Sequence, residues 1–173
     1  VSKGAVLLHR NVIANVLQSE AWMQPALLGQ DPNEQSVVVC ALPLYHIFAL
    51  TVCCLLGVKT GALVLLITNP RDIAGFIAEL KKYQVTMLPA VNTLYNALLH
   101  HPDFGGVDWS HLRVANGGGM AVQNAVDDKC FEKTGCPIVD SYELSETFPS
   151  ATCIPNNAKP STGTLRLPLP DTA

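Results

Sequence analysis

The sequence predicts an α/β fold in which helices flank a parallel β-sheet. Hydrophobic residues make up 49% of the 173 residues and charged residues 14%, which is typical of a well-buried domain and not of a disordered chain. Short apolar runs alternate along the chain with segments of helical periodicity. Because this alternation is typical of βαβ units, the strands are expected to be parallel and largely buried on both faces.

Five apolar runs are predicted to be the strands. The first, residues 36–42, reads SVVVCAL and is continuously apolar, as expected for a strand with no solvent-facing side. The second, residues 62–67, reads ALVLLI and has the same character. The remaining three strands are predicted at residues 85–89, 112–115 and 137–139.

Four segments between these runs are predicted to be helices. Residues 9–23 carry apolar side chains at helical spacing. Asn69 is predicted to cap a helix at residues 70–83, with Pro70 in its first turn. The other two helices are predicted at residues 92–100 and 120–134, the second of them stopped by Gly135.

The longest apolar stretch, residues 47–58, is predicted to be a buried helix. Its twelve residues are too few to span a bilayer, which needs about 20. The tail from Pro155 is rich in Pro, Thr and Asn and lacks a helical period, so we expect one α/β unit over residues 1–160 and the start of the next over 161–173. Because the chain opens with Val on the end of a loop, we expect it to be an interior portion of a longer protein.

Charge and cysteine usage exclude several classes of function. The net charge is −3, and no run of Lys and Arg forms a stripe that could follow a phosphate backbone, so nucleic acid is not an expected partner. The six cysteines form no C-x-x-C pair and have no His at ligand spacing. They are predicted to be reduced and mostly buried thiols of a cytosolic protein, and a metal site among them is not expected.

Three segments that follow predicted strands are candidates for a ligand-binding site. They are residues 43–48, 117–120 and 140–146. In open parallel sheets, ligands bind beyond the carboxyl ends of the strands. The three segments are therefore expected to face one crevice.

The residues themselves leave two interpretations open for the glycines and the tyrosine of these segments. Gly117, Gly118 and Gly119 form either a tight turn or a place where the backbone approaches a flat ligand, and they do not match G-x-G-x-x-G. Tyr142 is either a core residue or one wall of a slot for a purine.

The polar residues of these segments also allow two interpretations each. Glu146 is either a solvated loop charge or a carboxylate that holds Mg²⁺ together with substrate phosphates, with the Ser145 hydroxyl beside it. His46 is either a satisfied core residue or a catalyst. Lys3 and Gly4 are consistent with the end of a phosphate-binding loop, for which two residues are weak evidence.

Taken together, these segments resemble the acyl- and aryl-CoA synthetase family of adenylate-forming enzymes, and most of all its bacterial long-chain fatty-acid–CoA ligases. The resemblance lies in ALPLYHIFAL at residues 41–50, LITNPRD at 66–72, VNTLYNALL at 91–99 and the glycine run ending in Met120. It implies that a fatty acid reacts with ATP to give an acyl-adenylate and pyrophosphate. Coenzyme A then displaces AMP. It also implies the family's α/β subdomain fold and a need for Mg²⁺.

The resemblance further implies roles for particular residues. Lys3 matches the end of the phosphate loop, and His46 matches a histidine that lines the acyl pocket near the reacting carboxylate. Tyr142 matches the aromatic residue that stacks on adenine. The other matching residues are Gly117, Gly118 and Gly119 for the strip against which adenine lies, Ser145 for a phosphate contact and Glu146 for Mg²⁺.

Three residues depart from the family pattern. Glu143 and Ser141 stand where glycine is usual in the Tyr-Gly-x-Thr-Glu segment and just before it, and Arg166 replaces a further glycine. Glu143 puts a negative side chain beside a polyanionic nucleotide. Either Glu143 and Arg166 compensate each other as an ion pair, or the nucleotide site is weakened, and our hypothesis is a reduced affinity for ATP.

Two other functions remain open: a ligase for a different carboxylate, and a non-catalytic homologue that binds nucleotide or acyl groups. The family's ribose-binding Asp and catalytic Lys are expected beyond Ala173, so the isolated chain is expected to be inactive. Because fatty acids partition into bilayers, we expect a cytoplasmic protein that associates peripherally with the inner face of the membrane. The oligomeric state is left open.

Overall fold

The computed structural model describes residues 4–27, 34–155 and 167–171. Within them lies one sheet of seven strands in the order β2-β1-β3-β4-β5-β6-β7. The strands from β2 to β5 pair in parallel, whereas β6 and β7 are antiparallel to their neighbours. The strands are β1 (Val37–Cys40), β2 (Leu63–Leu66), β3 (Met87–Ala90), β4 (Val114–Gly117), β5 (Ile138–Glu143), β6 (Ser150–Cys153) and β7 (Leu167–Pro168).

Helices cover both faces of this sheet, which confirms the predicted fold class. One core cluster joins one face of the sheet to three helices through residues such as Phe76, Leu98 and Val126. The opposite face packs against the other helices through Val16 and Val52. The helices are α1 (His9–Leu27), α2 (Leu56–Thr60), α3 (Ile73–Leu80), α4 (Asn92–His100) and α5 (Asn124–Thr134).

Side-chain alternation in β1 shows why both faces can be covered. All four of its residues are buried. Val37 and Val39 contribute to the cluster under α3, α4 and α5, while Val38 and Cys40 contribute to the cluster under α1. Because successive side chains of a strand point to opposite faces, a continuously apolar strand supplies both layers, as the sequence predicted.

Two predicted helix starts were wrong. Asn69 does not cap α3: the cap is Asp72, whose Oδ1 accepts a hydrogen bond from the Gly75 backbone N–H at 3.0 Å. The Asn69 carbonyl instead accepts from the Asp72 N–H at 3.2 Å, so the intervening residues form a turn before the helix. The helix predicted from residue 120 begins at Asn124, after a loop in which the Gln123 N–H donates to Asn92 Oδ1 at 3.0 Å.

The fifth strand is longer than predicted. It was expected to end at residue 139 but continues to Glu143, because β6 pairs with its second half. The sequence did not predict β6 or β7. Pairing of Leu167 with Cys153 attaches β7 to the sheet, and the proposed boundary near residue 160 lies outside the described residues.

The apolar stretch at residues 47–58 is helical and largely buried, as predicted, but its middle is unusual. Ala49–Leu55 forms a π-helix, which we call the π segment, and α2 continues from it. Among the described residues no helix is both long and apolar enough to cross a membrane. All six cysteines are free; five are buried and Cys54 is half-buried, which confirms their predicted burial.

Candidate functional site

The candidate site lies at the edge of the sheet where β1, β4 and β5 end. These strands belong to the parallel part of the sheet, so the segments that follow β1 and β4 leave the same edge, where β5 also ends. Gly117 was expected to follow the fourth strand but is its last residue, and its carbonyl oxygen lies 3.2 Å from Ser141 Oγ of β5. The turn begins at Gly118, which lies against the Glu143 carboxyl of β5. The predicted meeting of the second and third segments is confirmed.

Each of the three glycines has its own structural cause. A Cβ on Gly117 would lie 2.3 Å from Val122 Cγ2, so no side chain fits between the sheet and the following loop. Gly119 has φ +76°, a left-handed conformation that favours glycine. Tight packing and a turn therefore account for two of the glycines, and the approach of a flat ligand remains a prediction.

Gly118 is close to a charged side chain. A Cβ built on it would lie 2.8 Å from both Oε1 and Oε2 of Glu143. The carboxyl group of Glu143 therefore lies flat against the backbone of the glycine turn. A side chain at position 118 would require the Glu143 carboxyl to move.

Tyr142 lies in β5, opposite Thr152 of β6, and its side chain is 48% exposed. It belongs to none of the hydrophobic core clusters of the described residues, so the core interpretation is wrong. An exposed aromatic ring at the ligand-binding edge of a sheet is available for stacking on a planar group.

Glu143 points to the other face of β5. The pairing of β5 with β6 shifts register between Tyr142 and Glu143. Glu143 nevertheless shares a face with Ser141, because their side chains are in contact. Ser141 Oγ lies 2.7 Å from Glu143 Oε1. Burial raises the pKa of Glu143 to about 7, partly opposed by Ser141 and Ser150 and reinforced by the Asp140 charge. The expectation that Glu143 follows the fifth strand in a loop is therefore wrong, because residue 143 is still in the strand and faces away from Tyr142.

The short 3-10 helix Ser145–Thr147 follows this strand and presents Ser145 and Glu146 to solvent. Within the described ranges, Glu146 makes no hydrogen bond or ion pair, so both of its carboxylate oxygens are available to a cation. No cluster of three His, Cys, Asp or Glu side chains suited to a metal occurs in the same ranges. One free carboxylate fits Mg²⁺ in the manner of sites that take their other ligands from water and substrate phosphates.

His46 is exposed, so the interpretation as a core histidine is wrong. Its carbonyl accepts from the Leu50 N–H at 3.0 Å, and its Nδ1 accepts from the Phe48 N–H at 3.3 Å. These bonds begin the helical run that continues into the π segment. Nδ1 is thus an acceptor, which leaves Nε2 directed away from the backbone and free to contact a ligand.

Two residues named by the sequence analysis cannot be placed, and two others were missed. Lys3 and Arg166 lie outside the described residues. Asn116 was not singled out, yet it is buried in β4 and its Oδ1 lies 3.3 Å from Ser141 Oγ. Ser150 was also missed. The polar Asn116 at the end of an apolar run was the only signal in the sequence.

The chain was compared with known proteins. The family model for AMP-binding enzymes matches residues 1–173. The chain is 46% identical over 172 residues to the long-chain-fatty-acid–CoA ligase of Haemophilus influenzae, which covers 99% of this chain and 30% of that protein. It is 48% identical over 173 residues to the long-chain-fatty-acid–CoA ligase of Yersinia pestis, with 99% and 30% covered.

Solved structures agree on the fold. A benzoate CoA ligase from Burkholderia xenovorans LB400 matches with a TM-score of 0.81 at 22% identity, over 97% of this chain and 33% of that one. At this identity the likeness is one of fold alone. The chain spans about 30% of the length of the curated relatives it matches.

Proposed function

The chain belongs to the family of AMP-binding enzymes, and we propose that the protein that carries it is an AMP-forming long-chain fatty-acid–CoA ligase. The observation that supports this most strongly is similarity along almost the entire chain to curated ligases of that one activity. In the proposed reaction a carboxylate oxygen of the fatty acid attacks the α-phosphorus of ATP, and pyrophosphate leaves. The thiol of coenzyme A then attacks the acyl carbonyl, and AMP leaves.

We propose that Tyr142 and the glycine turn hold the adenine. The exposed Tyr142 ring offers a flat apolar face at the edge of the sheet. The turn that carries Gly119 and the end of β5 approach each other there, so a planar base fits between an aromatic ring and a backbone without bulky side chains. Stacking of a base on an aromatic ring contributes about 1–3 kcal/mol in nucleic-acid complexes, which sets the scale.

We propose that Ser145 and Glu146 serve the phosphates. The Ser145 hydroxyl can donate to a phosphate oxygen, and the free Glu146 carboxylate would hold Mg²⁺. When bound, the ion neutralises negative charge where the carboxylate and ATP come together. The glycine turn and the 3-10 helix Ser145–Thr147 fix where these groups stand, and such positioning lowers the barrier between two anions.

We propose that His46 contacts the carboxylate of the fatty acid. Its segment starts the helical run that becomes the π segment, and Nε2 is the ring nitrogen left free. A hydrogen bond from Nε2 to the acyl carboxylate or to the developing carbonyl oxygen would orient the reacting group. Lys3 is proposed to contact phosphate on the strength of the family resemblance alone.

A second candidate function rests on one observation. The buried carboxyl of Glu143 lies against Gly118, where the family resemblance implies bare backbone. A site filled in this way favours either a different carboxylic acid or a homologue that binds without turning over. We further propose a cytoplasmic protein that meets its fatty acid at the inner face of the membrane.

Exchange of labelled pyrophosphate into ATP separates these functions. The purified protein that carries this chain is assayed with palmitate, benzoate and acetate, each with Mg²⁺ and without coenzyme A. Exchange with palmitate alone is the expected result. Exchange with benzoate or acetate instead supports another carboxylate, and no exchange with any acid supports the non-catalytic homologue. Tyr142→Ala is expected to raise the KM for ATP about tenfold or more, while Tyr83→Ala on the far surface leaves it unchanged.

A further inference from the structure

A buried polar network joins α1 to the end of β5. The Asn15 Nδ2 donates to the Ser150 carbonyl oxygen at 2.8 Å, and the Ser150 N–H donates to Asn15 Oδ1 at 3.4 Å. Ser150 lies opposite Glu143 in the pairing of β5 with β6, and its side chain hydrogen-bonds to the Glu143 carboxyl. Ser141 Oγ holds the same carboxyl, 2.7 Å from Glu143 Oε1. The Glu143 carboxyl is therefore bound from two strands.

The same carboxyl also lies against the glycine turn. Each of its two oxygens is 2.8 Å from the place that a Cβ on Gly118 would take. The turn continues through Gly119 at φ +76°, and consecutive glycines leave a backbone with much conformational freedom. Because protein interiors are closely packed, the Glu143 carboxyl restricts this freedom on the side of the turn that it contacts.

The two groups that Glu143 connects are the proposed walls of the adenine slot, by which we mean the space between the Tyr142 ring and the glycine turn. Tyr142 stands between Ser141 and Glu143 in β5, so the contacts of its two neighbours fix the backbone that carries the ring. The register of β5 against β6 shifts between Tyr142 and Glu143, which interrupts the regular ladder there. Side-chain hydrogen bonds from the network hold the strand where the ladder is interrupted.

We infer that Glu143 is a positioning residue for the nucleotide, whose carboxyl holds the glycine turn against β5 and thereby sets the width of the adenine slot. This inference rests on the proposed function and deepens it. It gives Glu143 no contact with ATP, since the carboxyl is bound within the protein on the face of β5 that Ser141 shares. Direct repulsion of the nucleotide by Glu143, the hypothesis drawn from the sequence, predicts the opposite effect of removing the carboxyl.

The test measures pyrophosphate exchange with palmitate in the purified protein that carries this chain. Glu143→Ala removes the carboxyl and should raise the KM for ATP about tenfold, the scale of a lost hydrogen bond to a charged group. The KM for palmitate should stay unchanged. Glu143→Gln keeps the shape of the side chain and its hydrogen bonds, so it should retain the wild-type KM for ATP. An unchanged or lower KM for ATP in Glu143→Ala would overturn the inference.

A double-mutant cycle with Tyr142→Ala separates positioning from a general loss of stability. If Glu143 acts through the slot, its removal should raise the KM for ATP much less once the Tyr142 ring is absent. Fully additive effects on the KM for ATP would overturn the inference. Urea unfolding confirms that each variant is folded, and Ser141→Ala, which removes one anchor of the carboxyl, should raise the KM for ATP in the same direction if Glu143→Ala does not fold. Glu132→Ala, at an exposed position of α5, is the control and should leave the KM for ATP unchanged.

Equilibrium dialysis with labelled ATP and Mg²⁺ keeps the inference separable from the ligase proposal. If no acid supports exchange, the ligase proposal fails and ATP binding alone decides on Glu143. Binding weakened about tenfold in Glu143→Ala and retained in Glu143→Gln would then support the positioning role. Equal binding by the wild type and Glu143→Ala, or no binding of ATP by the folded wild type, would overturn it.

Discussion

Replacing Glu143 by Gln should remove a pH-dependent loss of stability. In the folded chain burial raises the pKa of this carboxyl to about 7 from its ordinary value of 4.5. The folded state therefore keeps the proton that the unfolded chain releases between these two pH values. The contribution of Glu143 to stability is complete below pH 4.5, falls as the pH rises towards 7 and is constant above it.

The size of the effect follows from the two pKa values. One pKa unit corresponds to 1.36 kcal/mol, so the interval from 4.5 to about 7 is worth about 3 kcal/mol in the free energy of unfolding. Glu143→Gln keeps the shape of the side chain and cannot ionise. Relative to wild type, the variant should thus gain about 3 kcal/mol between pH 4 and pH 8.

Urea unfolding of wild type and Glu143→Gln at pH 4, 5, 6, 7 and 8 measures this difference. Glu132→Gln provides the control, since its exposed carboxylate on α5 should give the same small difference at every pH. If the stability difference for Glu143→Gln stays constant within 0.5 kcal/mol over this range, roughly the error of such comparisons, the carboxyl is not buried as described and the reasoning fails.

Three other predictions follow from the structure. Gly118→Ala should destabilise the wild type by about 1–3 kcal/mol, because the added Cβ meets the Glu143 carboxyl. The same substitution should have little effect in a Glu143→Gly background. Additive effects in a urea double-mutant cycle would contradict this. Asp72→Ala should cost about 1 kcal/mol by removing the cap of α3, while Asp72→Asn retains most of it, and equal losses would argue against a capping role. The 173 residues expressed alone should form no acyl-CoA in a mass-spectrometric assay, since they span 30% of the length of the curated relatives; product from the isolated chain would refute this.

The layout of the sheet could be predicted because its signals are local. The β-branched run at residues 36–42 predicts β1, whose four residues are buried. The apolar run at 62–67 predicts β2, but this strand lies at the edge of the sheet and Leu66 is exposed, so the expectation that it is buried on both faces was wrong. Competing local signals explain the error at α3. Asn69 and Asp72 are both good caps, and which of them starts the helix depends on the turn that the chain makes after β2.

The orientation of Glu143 could not be predicted because it depends on β6, a strand that the sequence analysis did not predict. Strand β5 continues to residue 143 only where β6 pairs with it, and that pairing brings Ser150 opposite Glu143. Once the strand includes residue 143, alternation sends Tyr142 and Glu143 to opposite faces. The local pattern showed an acid beside a tyrosine, and it could not show which side of the sheet the acid would occupy.

The same limit applies to the π segment. Apolar residues along the whole stretch at 47–58 indicate a buried helix, but an unbroken apolar run contains no period that separates a π-helix from an α-helix. The position of His46 follows from it, since the bonds from Phe48 and Leu50 to His46 open this helical run and bring the imidazole to the surface.

The most direct test of the account is to look for the acyl-adenylate itself. The purified protein that carries this chain is mixed with ATP, Mg²⁺ and palmitate without coenzyme A, quenched, and analysed by mass spectrometry. The account predicts an acyl-AMP and an equal amount of pyrophosphate, both strongly reduced in Tyr142→Ala. Formation of ADP and phosphate in place of the adenylate, or no adenylate while the protein remains folded, would contradict it.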